Sequence, residues 1–335
     1  MAGYLVTGGA GFIGAHLVKA LAGRGTLVRV LDNFTTGSAR NLAYALGREE
    51  IDLPLEDREV LQYENVEVMR GDVRDPATCA QACRGMDVVL HQAAMRSVPR
   101  SVDDPRGANE NNVVGTLNLL IAAHGASVRR FVYASSSSVY GDLPDLPKRE
   151  DQVPAPVSPY AASKLAGEHY CRVFARTYGL STVSLRYFNV FGPLQDPQSQ
   201  CAAVVPRFIR WTLEGHPLEI HGDGLQSRDF TYIDNVVSAN LLAADARGVH
   251  GEVFNIACGE RFTVLQIADV VEELIGRRVA RHHAPPRIGD VRHTLADITR
   301  ARAHLGYEPV VGFRDGMART VAFFVPASAG PGGTR

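Results

Sequence analysis

From Tyr4 to Gly14 the chain reads YLVTGGAGFIG, a short β-branched apolar run followed at once by clustered glycines and then by a helical pattern. Gly9, Gly11 and Gly14 satisfy G-x-G-x-x-G, and Gly8 adds an earlier glycine. Few segments restrict a fold so tightly. The glycines permit a sharp turn, let the backbone approach a pyrophosphate, and let the helix pack closely on the strand with its N-terminus toward the phosphates. Glycine-rich turns are common by themselves. Here the preceding strand, the following helix and an acidic residue ending the second strand, Asp32 in LVRVLDN, complete the pattern.

A carboxylate at that strand end accepts hydrogen bonds from an adenosine ribose and repels a 2′-phosphate, so the predicted cofactor is NAD rather than NADP. Phe12 and Ile13 open the helix, and Asn33 follows the acidic residue. Asp72 and Val73 in GDVRD end the next parallel strand, with Asp72 a candidate adenine contact. Ala93 and Ala94 in HQAA are small enough for the cofactor to lie against the backbone, while His91 reads as a satisfied core histidine. With Gly8, Gly11, Gly14, Asn112, Tyr160 and Lys164, these residues form the predicted cofactor site.

The first half of the chain alternates apolar runs (YLVTG, LVRVLD, VEVMRGD, DVVLHQAA, RFVYASS) with helical periodicities. Such alternation builds right-handed βαβ units and a parallel sheet covered on both faces. The predicted fold class is α/β: a Rossmann-type doubly wound parallel sheet with a smaller mixed α/β C-terminal lobe. A helix from Ser158 to Tyr178 and the strand TVSLRYFNV extend the first domain to residue 191. From Gly192 the pattern changes to Pro/Gly-rich loops, short strands such as LEIHG and EVFNIA, and helices near Cys201–Glu214, Asn235–Ala246 and Thr263–Ile275. Residues 192–326 are expected to form mainly the substrate-binding lobe, with some elements returning to the first domain, and 327–335 a disordered tail. The charged segment from Gly37 to Glu64 reads as a surface insertion.

With 335 residues, 45% of them hydrophobic, the chain can bury a large core. A formal net charge of −1 with interspersed signs gives no footprint for nucleic acid or an anionic membrane surface. No apolar run approaches the ~20 residues needed to span a bilayer, and no leader pattern precedes the first strand, so a cytoplasmic protein is expected. The five cysteines, Cys79, Cys83, Cys171, Cys201 and Cys258, are scattered and lack zinc-site spacing, so no metal is predicted.

Two further segments carry chemistry. YASSSSVYGD places serines at the carboxyl end of a buried strand, and SPYAASK places Tyr160 and Lys164 one helical turn apart, on one face. A phenol with an ordinary pKa of ~10 is a poor base at neutral pH, and a neighbouring ammonium plus a nicotinamide charge favour its phenolate. Ser136 beside it holds the same substrate oxygen. Alone, Y-x-x-x-K is as common as any solvated helix face; beside a dinucleotide fingerprint it denotes proton transfer at a carbinol.

TGGAGFIG, LDNF, GDVRD, HQAA, SSSSVYG, YAASK, RYFNVFGP, SRDFTYIDN and GDVRHTLAD together resemble the extended short-chain dehydrogenase/reductases, the NAD-dependent epimerase/dehydratase family that acts on nucleotide sugars. The resemblance runs from about Tyr4 to Phe324. It implies Ser136, Tyr160 and Lys164 as catalytic residues and oxidation at the sugar's carbon 4, followed by rotation of the 4-keto sugar and return of hydride to its opposite face. Where related 4,6-dehydratases and UDP-glucuronate decarboxylases carry carboxylates before V-Y-G, this chain has Ser137 and Ser138. A hydroxyl cannot readily replace a carboxylate as the base that removes a proton beside a ketone, so elimination chemistry lacks its agent.

The resemblance therefore implies a UDP-sugar 4-epimerase, closest to those acting on UDP-N-acetylglucosamine or UDP-glucose. UDP-glucuronate 4-epimerase is the near competitor, a dehydratase or decarboxylase a more distant one, and a non-catalytic NAD-binding regulator the most distant. Implied substrate contacts are Asn189, Arg228, Arg287 and Asp290 around the diphosphate and ribose, Val204 and Val205 at the base, and Arg96, Ser97, Ser137 and Ser138 around the sugar. Thr294 falls where the family carries a large aromatic residue in forms restricted to non-acetylated sugars, and its small side chain leaves room for an acetamido group. Leu194 stands where glucuronate epimerases have an arginine. The family also implies a homodimer.

Overall fold

The computed structural model describes residues 2–197, 204–285 and 291–325. Its centre is an eight-stranded sheet built from β1 (Gly3–Thr7), β2 (Leu27–Asp32), β3 (Val60–Tyr63), β4 (Val66–Arg70), β5 (Val88–His91), β6 (Arg130–Ser136), β7 (Thr182–Tyr187) and the late strand Glu252–Ile256. From edge to edge the order is the late strand, β7, β6, β5, β1, β2, β4 and β3, parallel except for the β3–β4 pair. The connecting helices of this half are α1 (Phe12–Ala22), α2 (Ala39–Leu46), α3 (Pro76–Cys83), α4 (Val98–Asp103), α5 (Pro105–Asn109), α6 (Gly115–Gly125) and α7 (Pro159–Thr177).

Side-chain alternation along β1 shows why both faces need cover. Tyr4 and Val6 enter one core with α1 and the helix Ile233–Asp245, whereas Leu5 enters a second core with residues of α3, α6 and α7. Because β1 pairs with β2 on one side and β5 on the other, the winding reverses there and leaves a crevice at the strands' carboxyl ends.

The structure makes two expectations specific. The strand EVFNIA is one of the elements that return to the first domain: Glu252–Ile256 pairs in parallel with β7, from Glu252 against Val183 to Ile256 against Tyr187. Its four residues from Val253 to Ile256 are all buried, which suits a covered parallel strand. The insertion from Gly37 to Glu64 holds structure of its own, namely α2, capped by Ser38 and burying Leu42, Ala43 and Ala45, and the half-exposed edge strand β3.

Beyond β7, the smaller lobe is built on short pairings: Val190–Phe191 with Thr231–Tyr232, Ser227–Arg228 with Phe262–Thr263, and Leu218–His221 with Arg281–Ala284. Among the described residues no helix is long and apolar enough to cross a membrane.

Candidate active site

The crevice at the reversal point opens into a cleft of about 460 Å³. Its floor is the glycine turn. Gly8 has φ +67°, and a Cβ there would lie 2.8 Å from the backbone nitrogen of Ala93; a Cβ on Gly14 would lie 2.1 Å from the carbonyl oxygen of Gly8. The turn is therefore closed by a backbone approach that only glycine permits. Gly11 is the N-cap of α1 with no side chain capping it, and Gly11, Phe12 and Ile13 line the cleft, so the helix start faces the space where a pyrophosphate would lie.

Asp32 is buried at the end of β2, and its carboxylate accepts from the backbone N–H of Ala10 at 2.9 Å and of Phe34 at 2.8 Å. Burial pushes its pKa up against those two bonds. Asn33, Val73, Ala93 and Ala94 also line the cleft. Asp72 lies beside it: Asn33 donates to it at 2.9 Å and Arg74 forks onto it, so that its carboxyl falls to about 2 against its own desolvation. The structure does not bring Asn112 to the cleft wall. Its amide accepts from the N–H of Met95 at 2.7 Å and donates to the Met95 carbonyl and to Ser163 Oγ, which makes it a clamp between two wall segments. His91 is the core histidine expected, bonded to Thr7 and Thr116 and driven down to about 3 by burial.

The catalytic candidates converge on the same cleft. Ser158 caps α7, Pro159 starts it, and Tyr160 and Lys164 follow one turn apart on the cleft wall. Lys164 is 3% exposed and donates to the carbonyl of Ala134 at 2.9 Å, with its nitrogen 5.1 Å from the ring centre of Tyr133 and 5.9 Å from that of Tyr160. Burial lowers its pKa to about 7. Ser136 ends β6, accepts from Ser138 Oγ at 2.9 Å, and has its hydroxyl beside the Tyr160 side chain. Burial raises the Tyr160 pKa, while the neighbouring Ser136 hydroxyl and the charge of Arg96 act against the rise.

Several residues that hold this arrangement carry no sequence signal. Ser101 in α4 accepts the backbone N–H of Tyr160 at 3.0 Å. Glu168, one turn beyond Lys164, is buried and accepts from Arg186 Nε and Nη2 at 2.8 and 2.7 Å together with the Ser135 hydroxyl, so α7 is locked to the ends of β6 and β7. Gln92 and Tyr187 line the cleft and share hydrogen bonds with Asn240. All pair residues far apart in the chain, which spacing cannot reveal.

A second cavity of about 220 Å³ lies in the smaller lobe, lined by Asn189, Val204, Val205, Phe208, Arg228 and Phe230 among others. Asn189 has φ +33° and donates to the carbonyl of Asp229 at 2.9 Å and to Thr294 Oγ1 at 3.3 Å. Arg228 donates to the carbonyls of Ser227 and Arg292, each at 3.0 Å. Asp229, fully buried, accepts from the N–H groups of Cys258, Gly259 and Ala296 and ties three loops behind this cavity. Arg96 and Leu194 stand on the main cleft; Ser97 caps α4. Arg287, Asp290, Cys201 and the predicted tail lie outside the described residues.

Residues 4–257 match the NAD dependent epimerase/dehydratase family, three quarters of the chain. The chain belongs to this family. It is 38% identical over 321 residues to the UDP-glucose 4-epimerase of Mycolicibacterium smegmatis, covering 96% of this chain and 97% of that one. Among solved structures it superposes with TM-score 0.88 on the UDP-N-acetylglucosamine 4-epimerase of Methanobrevibacter ruminantium in complex with UDP-N-acetylmuramic acid, at 36% identity over 96% of this chain and 98% of that one. The UDP-glucose 4-epimerase of Thermus thermophilus in complex with NAD gives TM-score 0.83 at 38% identity over the same shares. As a family member with the Rossmann-like parallel sheet, the chain meets the expected fold class.

Proposed function

We propose that the protein is an NAD-dependent enzyme that inverts carbon 4 of a UDP-hexose, interconverting UDP-N-acetylglucosamine with UDP-N-acetylgalactosamine and UDP-glucose with UDP-galactose. One observation carries the reading: Tyr160 and Lys164 share the wall of the glycine-turn cleft, and Ser136 stands beside the phenol, while the positions that would supply elimination carboxylates are Ser137 and Ser138.

The cleft fits NAD by its uncapped helix start, its Cβ-free turn and the Asp32 carboxylate at the end of β2. When bound there, the nicotinamide supplies a reversible hydride acceptor. The chain's own residues manage the proton. Tyr160 as phenolate removes it from the hydroxyl on carbon 4, Ser136 holds that oxygen, and the Lys164 ammonium favours the phenolate. The resulting 4-keto sugar turns about its diphosphate, and Tyr160 returns the proton to the oxygen on the inverted centre.

Asn189, Arg228, Val204 and Val205 hold the nucleotide, with Arg287 and Asp290 completing the diphosphate and ribose contacts; the second cavity supports the first four. The small Thr294 side chain, which accepts from Asn189, favours a sugar with an acetamido group, and Leu194 on the cleft supports a sugar without a carboxylate. Residues 1–191 serve mainly the cofactor and 192–326 mainly the substrate. The protein acts in the cytoplasm as a homodimer, a state supported by the exposed apolar Ile121 of α6 and Val173 of α7.

Incubation with UDP-N-acetylglucosamine, UDP-glucose and UDP-glucuronate, followed by NMR and mass measurement, tests the reading. Inversion at unchanged mass is expected for the first two. Loss of water or carbon dioxide would replace it with dehydration or decarboxylation, and exclusive turnover of the glucuronate would reassign the sugar.

A further inference from the structure

Ser136 is the catalytic candidate that α7 does not carry, and a single buried carboxylate joins it to the other two. Glu168 lies one turn beyond Lys164 on α7, and Arg186 lies on β7; both side chains are 4% exposed. Arg186 donates to Glu168 from Nε at 2.8 Å and from Nη2 at 2.7 Å, and among the described residues each is the other's only ion partner. Ser135, the residue before Ser136, donates to the same carboxylate. One side chain of the helix therefore accepts three bonds from two strands.

The ion pair grips Ser136 from both directions along the chain. On the near side, Ser135 stands opposite Arg186 in the register of β6 and β7, with Ser136 opposite Tyr187. On the far side, the Ser136 hydroxyl caps the short turn Ser137–Tyr140 by accepting the N–H of Ser138. That turn ends with the Tyr140 ring against Arg186, its centre 4.7 Å from the guanidinium carbon, and the Tyr140 hydroxyl donates to Asn255 at 2.7 Å. Other polar links between α7 and these strands are single bonds, such as Lys164 to the Ala134 carbonyl and Thr182 to the Cys171 carbonyl. A single bond leaves the helix free to pivot, whereas two parallel bonds from a guanidinium fix its orientation as well.

Stability does not account for such a pair. Two desolvated charges regain little more than their own dehydration, and apolar side chains of similar volume hold a core about as firmly. What the ion pair adds is geometry. Resting on the epimerase reading, we propose that Glu168 is a positioning residue, which acts through Ser135 and Arg186 to hold Ser136 in register with Tyr160 and Lys164. The demand is severe, because a displacement of about 1 Å at a reacting centre costs about 10²-fold in rate.

The test exchanges the pair for apolar residues, Glu168→Leu with Arg186→Met, beside the single variant Ser135→Ala. The double variant should unfold at or above the parent's temperature, keep its NAD and its KM for the UDP-sugar, and lose about 10²-fold in kcat. Ser135→Ala, which cuts one of the three bonds, should lose about tenfold. A pair that served stability alone would leave kcat unchanged in a double variant that folds normally, and that result would overturn the inference. If the double variant does not fold, an unchanged kcat in Ser135→Ala overturns it instead. A second readout needs no turnover: fluorine NMR of protein carrying fluorotyrosine, with the Tyr160 line assigned by its loss in Tyr160→Phe. That line should move in each folded variant, and a line that stays in place also overturns the inference. A protein whose Tyr160 line responds as described yet which inverts no UDP-sugar fails the functional reading alone.

Discussion

The cofactor side and the substrate side of the cleft are made of different material. The first is a backbone surface: between Gly8 and Gly14 the turn closes with main chain packed directly on main chain, and the Asp32 carboxylate is bonded to the backbone N–H groups of Ala10 and Phe34 beside it. The second is a side-chain surface, in which Asn189, the adjacent Arg228 and Asp229, and Thr294 come from three separate segments and are held by hydrogen bonds to neighbouring backbone groups and, from Asn189 to Thr294, between side chains. A backbone surface has no tolerance for added atoms and little means of changing specificity. A side-chain surface accepts substitution and so is where one family can select among sugars.

The largest effect should fall where the two sides meet. Tyr160→Phe removes the acidic hydroxyl and keeps the ring, so turnover should drop about 10³-fold with unfolding temperature nearly unchanged. Near-normal rates would remove Tyr160 from the chemistry. Next is the cofactor side itself: Gly14→Ala forces a Cβ to 2.1 Å from the Gly8 carbonyl oxygen and 2.7 Å from the Gly9 Cα. It should cost about 3 kcal/mol in denaturant unfolding and lose bound NAD. Unchanged stability would mean the turn is softer than its close approaches indicate.

Lys164→Met asks whether function is held against stability. The folded pKa of Lys164, about 7, lies below its unfolded value of ~10.4, so the native state sheds a proton that the unfolded chain keeps. The buried ammonium therefore costs most below pH 7, and stability rises with pH between the two values. The substitution should stabilise the chain by about 3 kcal/mol at pH 6 and by progressively less toward pH 10, allowing for one lost hydrogen bond. A gain independent of pH would point to packing instead.

The smallest effect belongs to the substrate side. Thr294→Tyr should reduce kcat/KM for N-acetylated sugars about tenfold while sparing UDP-glucose. Equal losses on all sugars would place Thr294 among groups that hold the nucleotide.

What the chain reveals without its fold is whatever a short spacing determines. The offset of four from Tyr160 to Lys164 makes about one helical turn, and the glycines from Gly8 to Gly14 make one strand-to-helix turn, because backbone geometry over such distances hardly depends on surroundings. Alternating apolar runs likewise gave the parallel sheet. The same reasoning left open where Glu252–Ile256 pairs, since an apolar run does not state its partner, and passed over β3, whose edge position leaves it half polar.

Only the tertiary structure decided how the site is held. Glu168 with Arg186, Ser101 with the N–H of Tyr160, and Asp229 with the N–H groups of three residues from distant loops join positions from 18 to 67 residues apart. Each is an ordinary polar residue in the sequence. Burial removes its access to water and obliges it to find a partner inside the protein, and which partner it meets depends on how the whole sheet and its helices pack.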